Sequence, residues 1–236
     1  MKLIKRLIIF IILVILVIGV AIGVIFGIPG YKMYKEALEK EPIEKKIASI
    51  EKKKNYSEFS ELPEMYVKAV IATEDHRFYE HKGIDFISVI RAIYNDIKAK
   101  EFVEGGSTIS QQLAKNIYFT QEKTGKRKIA EILMASKLDN SLSKEKIFEL
   151  YANTSYFGDG YYTVKSACKG YFNKELREMT DYECIMLAGI PNAPSVYAPT
   201  KNPDLTAKRA KHVIKKMVEN GDITQKEADK ILEEGG

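Results

Sequence analysis

The chain has 236 residues, of which 45% are hydrophobic and 29% are charged. This balance is typical of a globular protein and excludes a disordered or low-complexity chain. The formal net charge is +5, but Lys2, Lys5 and Arg6 at the N-terminus supply three of the cations. The remainder is only mildly basic and has no basic stripe, so no nucleic acid is expected among its partners.

An uncharged apolar run, LIIFIILVILVIGVAIGVIFGI, extends from residue 7 to residue 28. About 20 such residues are enough to cross a bilayer as a helix. A cleaved signal peptide is the alternative, but its apolar core would be shorter, and no small-x-small cleavage site follows the run. By the positive-inside rule, residues 1–6 are predicted to be cytoplasmic. The rest of a single-pass cell-membrane protein then lies outside the cytoplasm.

The remaining sequence divides by composition into two parts. Residues 29–61 are charge-rich and weakly apolar, which predicts a stalk between the transmembrane anchor and a folded domain over residues 62–236. The two cysteines, Cys168 and Cys184, both lie in apolar-rich surroundings of that domain. Outside the cytoplasm they could pair, and two buried free thiols are an equal alternative.

Helical periodicity dominates the predicted domain, and strand signals are scarce. Gly221 ends one helix, and Thr224 with Glu227 forms a capping box at the start of the next. The fold is therefore predicted to be mainly α. The predicted helices lie near residues 64–74, 84–99, 108–117, 126–139, 143–152, 163–170, 180–189, 204–219 and 225–234.

The segment GGSTISQQLAKN, residues 105–116, begins with two glycines and a Ser-Thr pair, which is typical of a helix start with a capping hydroxyl. The opposite face of the predicted helix is apolar. A helix face that is exposed to solvent usually carries Glu and Lys. Two adjacent glutamines therefore indicate that a polar ligand covers the polar face of this helix. That polar stripe consists of Thr108, Gln111, Gln112 and Lys115.

In the segment VKAVIATEDHRFYEHKGID, residues 67–85, apolar residues at positions i, i+3 and i+4 are followed at i+7 by Glu74. Burial on that stripe disfavours the charged form of a carboxylate, which suits a group that takes and returns protons near neutral pH. The alternative is a glutamate that ends the helix and accepts hydrogen bonds from backbone amides. Glu74 is therefore a candidate general base.

Two histidines with acidic neighbours follow Glu74 and resemble a metal site at first sight. His76 and His81 are five residues apart. This spacing places them on different helical faces, unlike the i, i+4 pair of a zinc-binding helix. No metal site is predicted.

A second carboxylate, Glu131, stands between Ile129 and Ile132 in a largely apolar helix. Arg127 and Lys128 precede it by four and three residues. Ion pairs within the helix account for this pattern, although the basic residue then comes first, which is the less favourable order. Alternatively, the carboxylate directs two cations toward an anionic ligand. The spacing leaves both interpretations open.

Taken together, five segments resemble the motifs of the peptidoglycan glycosyltransferases, the polymerase domain of bifunctional penicillin-binding proteins and of their monofunctional relatives. The segments are EDHRF with HKGID, GGSTISQQLAKN, RKIAE, SKEKIFELYANTSYFG and LAGIPNAPSVYAP. They occur in this order within residues 62–199. The chain resembles most the monofunctional, membrane-anchored biosynthetic transglycosylases, since no room remains for a transpeptidase domain.

The resemblance implies a lysozyme-like domain with a small membrane-proximal jaw, acting on lipid II and the growing glycan chain at the bacterial cytoplasmic membrane. Glu74 matches the base that deprotonates the acceptor 4-hydroxyl, which attacks the anomeric carbon with inversion and releases polyprenyl pyrophosphate. Glu131 matches the second catalytic glutamate. No resident cofactor is implied. Whether a divalent cation, Mg²⁺ or Mn²⁺, binds together with the diphosphate is left open. Whether other cell-wall synthesis proteins are partners is also left open.

The resemblance also implies a substrate-binding set. Lys115, Arg127 and Lys128 match positions around the diphosphate. The hydroxyls and helix-start amides of Ser107 and Thr108 favour the same anion, and the polar stripe would face sugars and phosphates. The complete implied set is Phe78, Ser107, Thr108, Gln111, Gln112, Lys115, Asn116, Arg127, Lys128 and Asn153.

Two other classes of function remain as alternatives. A lysozyme-like lytic enzyme would cleave the same polymer with a similar buried glutamate, but it would need neither a cationic cluster nor a membrane anchor. A catalytically silent scaffold for the cell-wall machinery would keep the fold. The presence of both Glu74 and Glu131 argues against a silent scaffold.

Overall fold

The computed structural model describes residues 2–99 and 105–235, and these residues are largely helical. They contain no strand, only an isolated β-bridge between Lys82 and Ile84. The prediction of a mainly α fold is confirmed. The helices are α1 (Lys2–Ile22), α2 (Ile28–Lys40), α3 (Ile43–Glu51), α4 (Glu64–Glu74), α5 (Phe86–Ala99), α6 (Ile109–Tyr118), α7 (Gly125–Ser141), α8 (Lys144–Ala152), α9 (Val164–Phe172), α10 (Asp181–Gly189), α11 (Pro194–Tyr197), α12 (Pro203–Asn220) and α13 (Gln225–Glu234).

The N-terminal helix continues well beyond the predicted membrane span. A π-helical turn, Gly23–Gly27, joins α1 to α2, so helical backbone extends without a break to Lys40. Among the described residues this is the one helix whose length and composition would allow it to cross a membrane, and its apolar stretch is not buried against the rest of the protein.

Residues 29–61, expected to be a stalk, instead contain two helices that pack on the domain. α2 lies against α7, and Gly30 is buried so closely that a Cβ atom there would approach Ile129 Cβ to 2.6 Å. α3 buries Ile43 and Ile50 in the hydrophobic core. The charge-rich composition obscured this packing because a narrow apolar stripe is enough to bury one side of a helix whose other faces are polar.

The core is formed by two sets of helices. α4, α10 and α12 pack on one another, and α6 packs between α7 and α8. Large aromatic side chains fill the interior, among them Tyr66, Tyr151, Phe148 and Phe157, all without exposed surface. Burial of side chains of this size contributes a large share of the hydrophobic stabilisation. The core thereby fixes the relative positions of α4, α6, α7 and α12.

Two buried aspartates connect the helix ends near the candidate site. Asp75, directly after α4, accepts a hydrogen bond from the Ile109 N–H at the start of α6, at 3.0 Å. Asp139 accepts from the Gly83 N–H at 2.6 Å and from the Ser110 hydroxyl at 2.5 Å. Because a buried carboxylate is costly without such partners, these bonds fix the start of α6 against α4 and α7.

The capping residues predicted from sequence are confirmed. Thr108 Oγ1 accepts a hydrogen bond from the Gln111 N–H, and Thr224 Oγ1 accepts one from the Glu227 N–H. Both form capping boxes, which satisfy amides that the first turn of a helix leaves unpaired. Gly221 ends α12 in the left-handed region, with φ of 80°.

Both cysteines are free and buried. Burial raises the pKa of the Cys168 thiol to about 11 and that of the Cys184 thiol to about 12. Thiols in such surroundings are mostly protonated and unreactive. Of the two alternatives left by the sequence, the structure therefore has the free thiols.

Candidate active site

Glu74 is the last residue of α4, and its side chain is only 9% exposed. Two side chains from distant helices hold its carboxylate. Gln112 Nε2 on α6 donates to Oε2 at 2.8 Å, and Arg209 Nη2 on α12 donates to Oε1 at 3.3 Å. Side-chain donors thus hold the carboxylate in place of the backbone amides of the alternative interpretation. A carboxylate with fixed oxygens at the margin of the core is suited to proton transfer.

Glu131 lies on α7, and its side chain is 3% exposed. Arg127 Nη1 donates to its Oε2, and Lys128 Nζ donates to its Oε1. Lys128 Nζ also donates to Ser107 Oγ at 2.8 Å, which connects α7 to the segment before α6. The two interpretations of this pattern are compatible in the structure. The pairs lie within one helix, and the carboxylate also fixes the direction of both cations.

Lys115 on α6 lies within electrostatic range of both glutamates. Burial lowers the pKa of its ammonium, while the negative charges of Glu131 and Glu74 act in the opposite direction. The cations of Arg127 and Lys128 lower the pKa further. The half-buried ammonium of Lys115 therefore interacts both with Glu74 and with the charged side chains at the start of α7.

The two carboxylates have different electrostatic surroundings. Near Glu131, the cationic cluster of Lys115, Arg127 and Lys128 outnumbers the single carboxylate, so an anion such as a phosphate would be favoured there. Near Glu74 the carboxylate is held by one amide and one guanidinium. A proton acceptor beside an anion-binding cluster suits a transfer reaction in which the nucleophile loses a proton and the leaving group departs as an anion.

Several residues of the implied substrate-binding set lie in the interior, which differs from the sequence expectation. Phe78 has no exposed surface and packs edge-on against Phe148. Thr108 and Gln111 are 2% exposed and use their polar atoms to cap α6. The helical period brings Gln111 onto the buried side of α6, so the predicted polar stripe divides into a capping half and a half near the glutamates.

Asn153, another member of the implied set, is also fully buried. Its Nδ2 donates to the Ser57 and Glu149 carbonyl oxygens, both at 2.8 Å, and its Oδ1 accepts from the Ser57 N–H at 2.9 Å. These bonds attach the segment before α4 to the end of α8. Asn116, by contrast, lies half-buried near the end of α6.

Arg209 was not predicted from the sequence, since it follows Glu74 by 135 residues. It lies beside the buried stripe of α12 formed by Thr206, Ala210 and Val213. A charged residue at such a position is the same anomaly that singled out Glu74. The neighbouring residues in the sequence are also basic, and a run of basic residues usually indicates a solvent-exposed helix face. The sequence therefore did not single out Arg209 as a charged residue beside a buried stripe.

The histidines near Glu74 have separate partners. His81 Nε2 contacts Asp75 Oδ1 at 2.8 Å, and His76 Nε2 lies 3.3 Å from Arg91 Nη1. Across residues 2–99 and 105–235, no group of three or more His, Cys, Asp or Glu side chains is arranged to hold a metal ion.

Comparison with known proteins matches most of the chain to one family. The family model for transglycosylases matches residues 40–218. Penicillin-binding protein 1F of Bacillus subtilis is 48% identical over 169 residues, which cover 72% of this chain and 24% of that protein. Penicillin-binding protein 1A of Neisseria cinerea is 45% identical over 184 residues, covering 78% and 23%. The chain thus spans about a quarter of the length of these relatives.

Solved structures are also similar in sequence. The crystal structure of penicillin-binding protein 1A from Haemophilus influenzae matches with 28% identity and a TM-score of 0.37. The match covers 52% of this chain and 15% of that one. The region matched by the family model contains Glu74, Glu131 and also Arg209.

Proposed function

Because the chain belongs to the transglycosylase family, we propose that it is a peptidoglycan glycosyltransferase that polymerises lipid II into β-1,4-linked glycan strands. The observation that carries the proposal is a held carboxylate, Glu74, beside a cationic cluster centred on Lys115 and α7. The first supplies a proton acceptor, and the second supplies a site for a diphosphate.

In this reaction, Glu74 accepts the proton of the acceptor sugar's 4-hydroxyl. The oxygen attacks the anomeric carbon of the donor chain as the bond between that carbon and the diphosphate oxygen breaks. The bonding electron pair leaves with the diphosphate, so the configuration inverts once, from α to β. Fixing both reactants in one site lowers the barrier because orientation is established before the chemical step.

Lys115, Arg127 and Lys128 would stabilise the negative charge that grows on the leaving diphosphate. Glu131, which the resemblance implies to be catalytic, acts in this proposal by fixing the direction of Arg127 and Lys128. The proposed steps use the side chains of the chain alone.

A location at the membrane is consistent with the proposal that the substrate is linked to a lipid. We propose that α1 anchors the chain with residues 1–6 in the cytoplasm and the catalytic domain outside, as the positive-inside rule indicates. α5 exposes a row of large apolar side chains, which suits the membrane-proximal jaw that the resemblance implies. These exposed residues are Phe86, Ile87, Ile90, Tyr94 and Ile97.

A lytic enzyme is the competing function, and the charge pattern argues against it. Hydrolysis of a glycosidic bond requires a proton donor at the bridging oxygen. A diphosphate leaves as an anion and needs cations instead. The cationic cluster around Glu131 favours the second reaction.

The proposal is tested by incubating the purified full chain with lipid II in detergent micelles. We expect β-1,4-linked polymer together with released polyprenyl pyrophosphate, and no change in preformed glycan strands given as substrate. New reducing ends from those strands, without polymer from lipid II, would show that the chain is lytic.

A further inference from the structure

We infer that Arg209 is a positioning residue that orients the Glu74 carboxylate for proton transfer. The inference rests on the proposed function, because it assigns a role to the proton acceptor of that reaction. Arg209 lies outside the five segments that carry the resemblance, and its role follows from its contacts in the structure.

The first observation is how the carboxylate of Glu74 is held. Arg209 Nη2 contacts one oxygen at 3.3 Å and Gln112 Nε2 contacts the other at 2.8 Å. The Arg209 and Glu74 side chains are 13% and 9% exposed. A charge-assisted hydrogen bond with so little exposure is stronger than a neutral one and is weakly screened by salt. Two donors from two helices therefore define the plane of the carboxylate.

The second observation is that Arg209 is itself held in place. Its Nε donates to the Gly189 carbonyl at the end of α10, at 3.3 Å, and its guanidinium carbon lies 5.7 Å from the centre of the Tyr197 ring. A planar guanidinium held at one edge and on one face loses little further freedom when it binds a carboxylate. The end of α10 and the end of α11 thereby set the position from which Arg209 reaches Glu74.

The third observation concerns the space beside the Arg209 side chain. A Cβ atom at Gly189 would lie only 2.9 Å from Arg209 Cγ, closer than van der Waals contact. Glycine at this position leaves room for the arginine stem. This gives a way to displace Arg209 without removing its charge.

A purely structural role would predict a loss of stability with kcat unchanged, because removing one partner of a buried ion pair leaves the other charge unpaired. Removing Arg209 alone, however, leaves Glu74 with one neutral donor in a site that is nearly closed to water. The effect of the substitution should therefore appear in the chemical step rather than in substrate binding.

The experiment compares Arg209→Met, Arg209→Lys and Gly189→Ala in the full chain, with lipid II in detergent micelles as substrate. Lys208→Met is the matched control, because Lys208 is an exposed neighbour on the same helix. We expect Arg209→Met to lower kcat about 100-fold with KM changed less than about threefold, since general-base catalysis typically contributes about 10²–10⁴ in rate. Arg209→Lys, which keeps the cation, should recover about a tenth or more of the parent kcat, and Lys208→Met should stay within about twofold.

Several outcomes would overturn the inference while leaving the proposed function intact. These are a parent-like kcat in Arg209→Met, equal losses in the Lys and Met variants, and a raised KM with unchanged kcat. Should Arg209→Met fail to fold, Gly189→Ala decides: a reduced kcat at unchanged KM supports the inference, and a parent-like kcat contradicts it. A parent chain that does not polymerise lipid II would overturn the proposed function itself, together with this inference.

Discussion

Glu74 and Glu131 are both nearly buried carboxylates, but they are held in opposite ways. The partners of Glu131, Arg127 and Lys128, lie three and four residues away on the same helix. The partners of Glu74 lie on two other helices, and the farther one follows it by 135 residues. The two ion-pair partners of Glu131 are therefore supplied by α7 itself, whereas the partners of Glu74 come together only when α4, α6 and α12 have packed.

This difference indicates a division of labour. Arg127 and Lys128 occupy both oxygens of Glu131, so this carboxylate is suited to fixing the direction of the two cations. The carboxylate of Glu74 is instead oriented by one amide and one guanidinium from other helices, which suits the base of the proposed reaction.

Glu74→Gln should abolish most polymerisation while leaving lipid II binding largely intact. The amide keeps the shape of the side chain but cannot accept the proton, and loss of a general base typically costs about 10²–10⁴ in rate. Turnover and lipid II binding are to be measured side by side. Glu64→Gln, at the exposed start of the same helix, is the control and should behave like the parent. Near-parent turnover in Glu74→Gln would remove Glu74 from the role of base.

Arg127→Ala and Lys128→Ala should each slow turnover by about 10²–10³, the loss typical of removing one donor that stabilises a developing anion. Lys123→Ala is the control, because Lys123 is exposed and precedes the helix. Each of the two variants also leaves Glu131 with a single partner. Thermal unfolding followed by circular dichroism therefore accompanies the kinetics. Equal losses in all three variants would mean that the charge acts diffusely or that α7 has unfolded.

The adjacent glutamines offer a smaller and more selective test. Gln112→Met removes one of the two donors to Glu74 and should lower kcat about tenfold, which corresponds to a net hydrogen-bond contribution of roughly 1.4 kcal/mol. Gln111→Met removes the capping partner of Thr108 and should lower the unfolding temperature with little change in kcat. The reverse pattern would place Gln111 at the substrate and return Gln112 to the fold.

Local features of the chain were predictable from sequence, and distant contacts were not. The capping residues Thr108 and Thr224 were identified because each acts within four residues of itself. The same holds for the cations beside Glu131. Gln111, by contrast, was placed on a ligand-facing stripe because helical spacing shows which residues share a face, but not which neighbouring helix covers it. Arg209 was missed for the same reason, since its role depends on the packing of α12 against α4.

The smallest expected effect concerns the junction between the membrane anchor and α7. A Cβ atom at Gly30 would meet Ile129 Cβ at 2.6 Å and the Lys126 carbonyl oxygen at 2.8 Å, whereas one at Gly27 would meet nothing within 4 Å. Gly30→Ala and Gly27→Ala gain similar helix propensity, so their difference isolates the collision. Because the carbonyl belongs to the backbone of α7, the collision should shift the first turns of that helix, which carry Arg127 and Lys128 of the cationic cluster.

We expect Gly30→Ala to be less stable than Gly27→Ala by about 1–3 kcal/mol, as is typical of overpacking, and to polymerise lipid II a few-fold more slowly. Because Glu131 and Glu74 have different partners, a second expectation follows for the two sites. Displacing α7 should reproduce the Lys128→Ala defect in milder form and leave the effect of Arg209→Met unchanged, because sites without shared partners behave additively. Thermal unfolding and initial rates of both single variants, and of each combined with Arg209→Met, test this. Equal stability and rate in the two glycine variants would show that the anchor only tethers the enzyme to the membrane.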